Sequence, residues 1–424
     1  MADYYRTTYG AENRRKQKSV LAILADAVML VVTCVVVSAF VITLFVPTLD
    51  PRNWGQVVTL GLVAPFIYSA QAVVTLYWII RWRMWIAVPM ILLSVVGAFS
   101  LTTFYNMEVR RQYSGQKYER TAIKVMTYNV RSFIDDNGER SIDSMIAIIK
   151  NVNPDILCLQ EFGFREAIDT LLNPMYGLPK SLVRTNLSPA IYSRYPIVQA
   201  QRIDTMKEVV WADVVMREDT FRVFSTHLHT TAIRRVDSQY LENHEYLEDD
   251  GSNQHFREII HRLSENNKLR AAQVDTISQL IDSSPYPVIV CGDFNDVPVS
   301  NTYRRMSHRL RDAFREKGRG YSHTYRGLFD MLRIDYVLCS KGFSVLSYDV
   351  IDTWGLELQK KRGGDTIVVR TFGSELPIMG EGVRERLDEP TIQKLESDSA
   401  VSNRIIYSDH YPVFVRLRYD GRDN

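Results

Sequence analysis

Val288-Ile289-Val290-Cys291-Gly292-Asp293-Phe294-Asn295-Asp296 is a short apolar run that breaks at a glycine and delivers an acid and an amide two residues apart. On extended backbone, residues i and i+2 point the same way, so Asp293 and Asn295 face one spot at the end of a strand expected to be buried. A carboxylate beside a neutral hydrogen-bonding group is one way a chain presents a metal ligand or a base. Gly-Asp after a strand is also ordinary turn chemistry, so the rest of the chain has to decide between the two.

Working outward, the run belongs to a chain of 424 residues, 46% hydrophobic and 24% charged, which suits one large or two modest folded units. The net charge of +2 is unevenly spread. Residues 1–118 hold 11 Lys/Arg against 5 Asp/Glu, whereas the remainder holds 40 against 44. The larger part is therefore mildly acidic, and composition gives no sign of a wide basic face for gripping nucleic acid. Cys34, Cys158, Cys291 and Cys339 lack the paired spacing of a zinc site or a disulfide framework. The last three sit in apolar, strand-like runs, where a thiol behaves as a small core hydrophobe.

Three apolar stretches fill the first quarter. Val20 to Val46 is long enough to cross a hydrocarbon core of roughly 30 Å, with Asp26 near its start. A polar turn at Asp50-Pro51-Arg52-Asn53 precedes a second span from about 57 to 80, and Arg81-Trp82-Arg83 links tightly into a third, about 84 to 105. Trp54, Tyr77, Trp78, Trp82, Trp85, Phe104 and Tyr105 gather at the span ends as an aromatic belt does. No small-residue cleavage site follows the first run, so it reads as an anchor rather than a leader. The expected organisation is a membrane anchor over 1–110 (spans at about 20–46, 57–80 and 84–105), a linker over 111–122, and a catalytic domain over 123–424. Arg14, Arg15, Lys16, Lys18, Arg81 and Arg83 belong on the cytoplasmic side by the positive-inside rule, which places the domain outside the cytoplasm. Arg110, Arg111, Lys117 and Arg120 argue the other way; the outward placement is the expectation.

From about Glu119 the composition becomes that of a soluble domain mixing helices and strands. Ile123 to Val130 alternates apolar and polar, and Ile142 to Lys150 is helix-patterned. Asp155 to Glu161 is a second apolar run, and Ala190 to Val198 looks like a hairpin pair. Strands continue over Trp211 to Met216 and Phe221 to His229, and again over Leu332 to Cys339 and Ile405 to Val415, with helices over Asn267 to Ile281 and Tyr303 to Phe314. Residues 230–268 read as a long loop or partly helical insertion, and about 356–402 as a charged excursion. Strands in hairpin-like groups favour a two-layer sheet flanked by helices.

Asn129, Glu161, His227, Asp293, Asn295, Asp335, Asp409 and His410 each close or interrupt one of these runs. A single polar residue there is usually a cap or a turn, but eight of them are all of types suited to metal and phosphate chemistry. Glu161 and Asp409 with the amide of Asn129 make an oxygen set that suits Mg²⁺ or Mn²⁺. A histidine can donate to a phosphate oxygen if a carboxylate fixes its tautomer, and Asp335 is the candidate partner for His410.

Met126-Thr127-Tyr128-Asn129-Val130, Leu159-Gln160-Glu161, Ser225-Thr226-His227-Leu228, Gly292-Asp293-Phe294-Asn295, Arg333-Ile334-Asp335-Tyr336 and Ser408-Asp409-His410-Tyr411-Pro412-Val413 resemble, in order, the motifs of the endonuclease/exonuclease/phosphatase superfamily. The resemblance runs from about Ile123 to the C-terminus. It implies an α+β fold, a four-layer αββα sandwich, here preceded by three transmembrane helices. It also implies a metal held by Glu161 with Asn129 and Asp409, a water oriented or deprotonated by Asp293, and Asn295 on that water or on the phosphate. His227 and His410 would flank the phosphate, with Asp335 pairing His410. Arg270 and Gln273 match a recurring helix pattern of the family, for which a structural role is favoured. No acidic partner for His227 is evident in the sequence.

These expectations add up to a Mg²⁺-dependent, or Mn²⁺-dependent, phosphoester hydrolase anchored in a bilayer. The resemblance slightly favours nucleic acid as its substrate. A phospholipid headgroup is the alternative, as in sphingomyelinases and phosphoinositide phosphatases, and an inactive binding module is a minor one. No protein partner is readable.

Overall fold

The computed structural model describes residues 20–107 and 122–421, apart from 136, 163–165, 178–181, 185–188, 204–207, 232, 234, 244–251, 361–365, 373–375, 380–399 and 406. The basic N-terminus and the 111–121 linker with Arg111, Lys117 and Arg120, as well as Arg110, lie outside the described residues.

Three helices of span length and apolarity open the chain. Helix α1 is Val20–Phe45. A short helix α2, Pro51–Val58, is capped by the Asp50 carboxylate and leads through a 3₁₀ turn into α3, Ala64–Ile80. Helix α4 is Met84–Leu101. Small residues let them pack: a Cβ on Gly97 would meet Phe40 Cζ at 2.3 Å. At the opposite end from the sheet-containing domain, Asp26 receives Arg81 Nε at 2.7 Å, Arg83 Nη2 at 3.1 Å and the Tyr77 hydroxyl at 2.9 Å. The acid near the start of the first span is thus paired with the basic turn between the second and third.

After β1 (Tyr105–Asn106) the domain begins with β2, Ile123–Asn129. Helix α5 (Ile142–Val152) ends at left-handed Asn153 and returns the chain to β3, Ile156–Gln160, parallel to β2. Next come α6 (Glu166–Tyr176), β4 (Leu182–Arg184) and β5 (Ala190–Ser193), then β6 (Ile197–Arg202), β7 (Val209–Met216) and β8 (Asp219–His227). Helices α7 (Arg235–Glu242) and α8 (Ser252–Asp282) lead to β9, Val288–Asp293, parallel to β8. The chain continues with α9 (Asn301–Met306), β10 (Arg311–Asp312), α10 (Ala313–Lys317), β11 (Gly320–Tyr321), β12 (Asp335–Cys339) and β13 (Phe343–Val350). Four further strands, β14 (Thr353–Lys360), β15 (Thr366–Phe372), β16 (Leu376–Met379) and β17 (Ala400–Arg404), precede β18, Val413–Tyr419.

Two six-stranded sheets result, ordered β13-β18-β2-β3-β5-β4 and β10-β12-β9-β8-β7-β6. Their central strands are apolar on both faces because each face is covered. Val125, Ile156, Cys158, Ile289 and Cys291 fill the space between the sheets. Met126, Tyr128, Leu157 and Leu159 turn outward to residues of α5 and α6, while Val290, Trp211 and Phe224 meet Val274 and Ile277 of α8. This is the four-layer αββα sandwich, and Cys158, Cys291 and Cys339 are buried at its centre as thiols.

Several elements differ from the sequence reading. Ala190 to Val198 is not a hairpin: β5 pairs with β3 and β6 with β7, so Arg194-Tyr195-Pro196 carries the chain from one sheet to the other. The 230–268 insertion is mostly helix, because α8 starts at Ser252 rather than near 267. Tyr303 to Phe314 is two short helices, α9 and α10, broken by a turn and β10. The 356–402 excursion contains a four-stranded antiparallel sheet, β16-β15-β14-β17.

The N-terminal helices are docked on the domain. Gly55 of α2 presses against α8, leaving Ser264 Oγ only 2.2 Å from where a Cβ would stand, and Arg52 Nη1 donates to Asp275 Oδ2 at 2.9 Å. Asn301 Nδ2 donates to Pro47 O at 3.2 Å, and a Cβ on Gly61 would lie 2.3 Å from Val299 O. Strand β1 pairs with β11, Tyr105 opposite Tyr321, and Arg333 Nη2 donates to Thr103 O at 2.9 Å.

Candidate active site

Strand register sets one half of the site. In the second sheet β12, β9 and β8 are neighbours, and Asp335 is paired with Asp293 and Asp293 with His227. Three chemistry-bearing residues therefore stand in one row at the sheet's end. Gly292 makes this possible: its φ is +137°, and a Cβ there would lie 1.9 Å from Thr226 O. The other sheet contributes Asn129, the last residue of β2, beside Glu161, which follows β3 in a left-handed turn. His410 sits three residues before β18, and Ser408 Oγ ties its loop to Asn129 O at 2.8 Å.

The two halves meet at Asp293. Asn129 Nδ2 donates to Glu161 Oε1 at 3.0 Å and to Asp293 Oδ2 at 3.1 Å. His227 Nε2 stands 3.6 Å from Glu161 Oε1 and 3.9 Å from Asp293 Oδ2. His410 Nε2 is 3.7 Å from that same Asp293 oxygen, and its Nδ1 lies 2.9 Å from Asp335 Oδ2. Asn295 holds Asp293 from its own turn, through its backbone N at 2.7 Å and its Nδ2 at 3.1 Å, while Nδ2 also donates to Leu228 O at 3.0 Å. Asp409 stands at the rim, 3.7 Å from Arg131 Nε, with its carbonyl accepting from Arg326 N at 2.8 Å. The structure thus gathers seven of the eight candidates into one contact network and places Asp409 beside it.

Burial sets the electrostatics. Asp293 is sealed from water, which pushes its carboxyl up to about 6 against the pull of His410, with Asp335 adding repulsion. Burial alone would lower His410, but the Asp335 and Asp293 carboxylates outweigh it and carry the imidazole up to about 10. His410 is therefore a cation at neutral pH, Nδ1 donating to Asp335 and Nε2 presented to Asp293.

The donor set fits a hard divalent cation. Asp293 and Asp335 each bring an oxygen within 4.8 Å of the other and of a ring nitrogen of His410, which as a cation has no lone pair to give a metal. The Glu161 side chain is 39% exposed and brings a carboxylate to the same place from the solvent side. Asp335 Oδ1 is buried with no hydrogen-bond partner among the described residues. Asn129 turns its NH₂ to the carboxylates because its oxygen accepts from Arg131 N at 3.1 Å. Offering that oxygen to a metal would require the amide to turn over.

Some supporting residues escape a motif reading. Thr324 Oγ1 accepts from the backbone N of Ile334 and of Asp335, each at 3.0 Å, and so fixes where β12 begins. The Tyr325 ring packs 5.0 Å from His410. Both lie in a loop without periodicity, so nothing in the sequence marks them. Arg131, two residues after Asn129, is a cation that proximity to the motif could have flagged. Arg270 Nη1 donates to His229 O at 2.9 Å and Gln273 Oε1 accepts from His229 N at 2.7 Å, so this helix pair braces the loop that follows His227. His227 Nδ1 is buried and unpartnered among the described residues, in line with the missing acidic partner.

The endonuclease/exonuclease/phosphatase family model matches residues 126–410, and a domain family of unknown function matches 26–104. No curated protein sequence matches the chain. Among solved structures, an endonuclease/exonuclease/phosphatase from Beutenbergia cavernae is 16% identical with a TM-score of 0.42, covering 71% of this chain and 72% of that one. The human Nocturnin catalytic domain with bound sulfate anion is 14% identical, TM-score 0.41, over 70% and 95% of the two chains. A Bacteroides thetaiotaomicron mannosyl-6-phosphatase is 14% identical, TM-score 0.40, over 70% and 100%.

Proposed function

Because this chain belongs to the endonuclease/exonuclease/phosphatase family, we propose that it is a divalent-metal-dependent phosphoester hydrolase. In this reading three helices anchor it in a bilayer, and it acts as a phosphodiesterase on substrates at the membrane surface. The observation that carries the chemistry is the convergence of Asn129, His227 and His410 on Asp293.

In this reading Asp293 takes the proton of the attacking water. Its raised carboxyl suits a base working near neutral pH. Asn295 holds the carboxylate in one orientation. His410, kept cationic by Asp335, donates from Nε2 to a non-bridging phosphate oxygen and balances charge that grows there. His227 contacts the phosphate from the other side. Glu161, with Asp409 and the Asn129 oxygen, would hold Mg²⁺ or Mn²⁺, which when bound stabilises charge on the phosphoryl and leaving-group oxygens.

For the substrate, the anchor contacts favour a phosphoester in the bilayer surface, such as a phospholipid headgroup. Phe329, four residues after the Tyr325 that packs on His410, meets Phe66 at the start of α3 with ring centroids 5.8 Å apart. Leu62 of the anchor joins Val297, Leu328 and Leu332, apolar residues of the loops that follow Asn295 and precede Asp335. Loops that border the site thus also touch the membrane helices. Nucleic acid is the second reading, favoured by Arg131 and Arg326 beside Asp409. The paired Asp26–Arg81–Arg83 end supports the domain lying across the bilayer from that basic turn, extracytoplasmic by the positive-inside rule.

The test is a substrate panel on the full chain in detergent micelles: DNA, RNA, sphingomyelin, phosphoinositides and nucleotide monoesters, with Mg²⁺ and with EDTA. EDTA-sensitive turnover of a lipid phosphoester is expected. Turnover of DNA or RNA alone would move the assignment to nuclease, and no EDTA-sensitive turnover at all would leave an inactive binding module.

A further inference from the structure

Where the second and third long helices reach the catalytic domain, they enclose a cavity of about 1170 Å³ that the proposed chemistry does not use. Its two ends differ in character. Ala72 of α3 and Ala98 and Leu101 of α4 form an apolar floor, and both alanines are exposed on helices of membrane-spanning length. The roof belongs to the domain and carries Arg311 and Arg315. Arg315 Nη2 reaches Thr102 Oγ1, 3.4 Å away, at the end of α4, the level at which a span leaves the hydrocarbon.

Asp312, the lining carboxylate nearest in sequence, does not cancel these cations, although Asp420, outside the lining, feels the charge of Arg311. Asp312 spends its oxygens on Arg333 at 2.8 and 3.1 Å, on the Tyr303 hydroxyl at 2.7 Å and on Phe314 N at 2.9 Å. Glu316, the other acid in the lining, is exposed. Tyr68 projects from α3 into the lining, its buried hydroxyl lying toward Ser100 and Thr43.

We propose that this cavity is a binding site for one anionic phospholipid of the leaflet beneath the domain. An acyl chain would lie in the Ala72–Ala98 groove and the phosphate under Arg311 and Arg315. An apolar floor open to hydrocarbon beneath a cationic roof is complementary to an anionic amphiphile, whose acyl chain a soluble anion lacks. The buried Arg333–Asp312 pair stands between this cavity and Asp335, so the lipid is a fixed component of the anchor–domain joint rather than the substrate. The proposal rests on the three helices spanning a bilayer, not on the catalytic assignment.

Full-length protein, taken from phosphatidylcholine nanodiscs containing a minority of phosphatidylglycerol, would be analysed by native mass spectrometry. Resistance of the protein to carbonate extraction from membranes, measured separately, tests the spans themselves. The wild type should retain one phosphatidylglycerol in preference to phosphatidylcholine. Arg311→Ala/Arg315→Ala should lower that retention about tenfold, as loss of two charge-assisted contacts would. Ala98→Trp, which fills the groove without changing charge, should lower retention of either lipid, and Arg309→Ala, on the surface outside the cavity, should not. A wild type that retains no lipid overturns the proposal. Equal retention by wild type and both cavity variants overturns it as well.

Discussion

His410 Nδ1 lies 2.9 Å from Asp335 Oδ2, with both side chains almost fully sealed from solvent, and the other ring nitrogen faces Asp293. The pairing is what makes a buried imidazole a lasting cation. With the histidine raised from 6.5 to about 10, its contribution to stability is complete below about pH 6.5 and is lost as pH rises through about 10. Asp335→Asn removes the charge while keeping the shape. We expect kcat to fall about 100-fold or more, the scale of losing one preorganised donor to a developing oxyanion, and the alkaline limb of the pH–rate profile to move to lower pH. A profile that scales down without that move would show that Asp335 does not act through His410.

Asp293 is raised in the opposite sense for an acid. Protonation of its buried carboxyl favours the fold between the ordinary carboxylate range and about 6, so above pH 6 the charged group opposes stability. Asp293→Asn, which removes the base while keeping an acceptor oxygen for Asn129 and Asn295, should therefore lower hydrolysis by about 1000-fold with little change in the thermal midpoint at pH 8. In the wild type, activity should rise with pH through about 6, and higher Mg²⁺ should shift that limb to lower pH, since a nearby cation favours the carboxylate. Parallel rate and unfolding measurements at several Mg²⁺ concentrations check both halves.

A structural feature is legible in this sequence where its signal is local. The row of His227, Asp293 and Asp335 could be listed from strand ends, because each residue interrupts its own apolar run. That they stand side by side follows from register, a long-range property to which Gly292 and Thr226 contribute by close approach. The Ala190–Val198 crossing looked like a hairpin because a turn at Arg194-Tyr195-Pro196 is the same whether the next strand joins its neighbour or the opposite sheet. The docking of the N-terminal helices leaves no mark in the sequence for a similar reason. Gly55 and Gly61 reveal a close contact only when Ser264 and Val299 are placed beside them.

Gly292 offers a test of the register argument. At φ +137°, with backbone oxygen 1.9 Å from any added Cβ, Gly292→Ala has no rotamer to escape through. Either β8 and β9 move apart or the turn that aims Asp293 changes, at a cost of about 3 kcal/mol from backbone strain and lost ladder contacts. Thermal unfolding of the detergent-solubilised variant should show a midpoint several degrees lower, and its residual activity should fall further than the lost folded fraction accounts for.

Arg333 joins the end of the third long helix to the strand that begins at Asp335, and its removal should be felt at both. The guanidinium is fully buried, donates to Asp312 at 2.8 and 3.1 Å and to Thr103 O at 2.9 Å, and packs 4.6 Å from the centroids of Phe314 and Tyr336. It lies two residues before Asp335, so the end of the third long helix and the start of β12 are held by one side chain. Arg333→Met leaves Asp312 as an unpaired buried carboxylate, which costs about 3–5 kcal/mol. Much of that loss belongs to the stranded charge rather than to the pair itself, so Arg333→Met/Asp312→Leu should recover most of the midpoint. Activity separates the two roles. If Arg333 also positions Asp335 through β12, the double variant will be stable yet slower, with its alkaline limb shifted as in Asp335→Asn. If it acts only as a structural cation, stability and rate will return together.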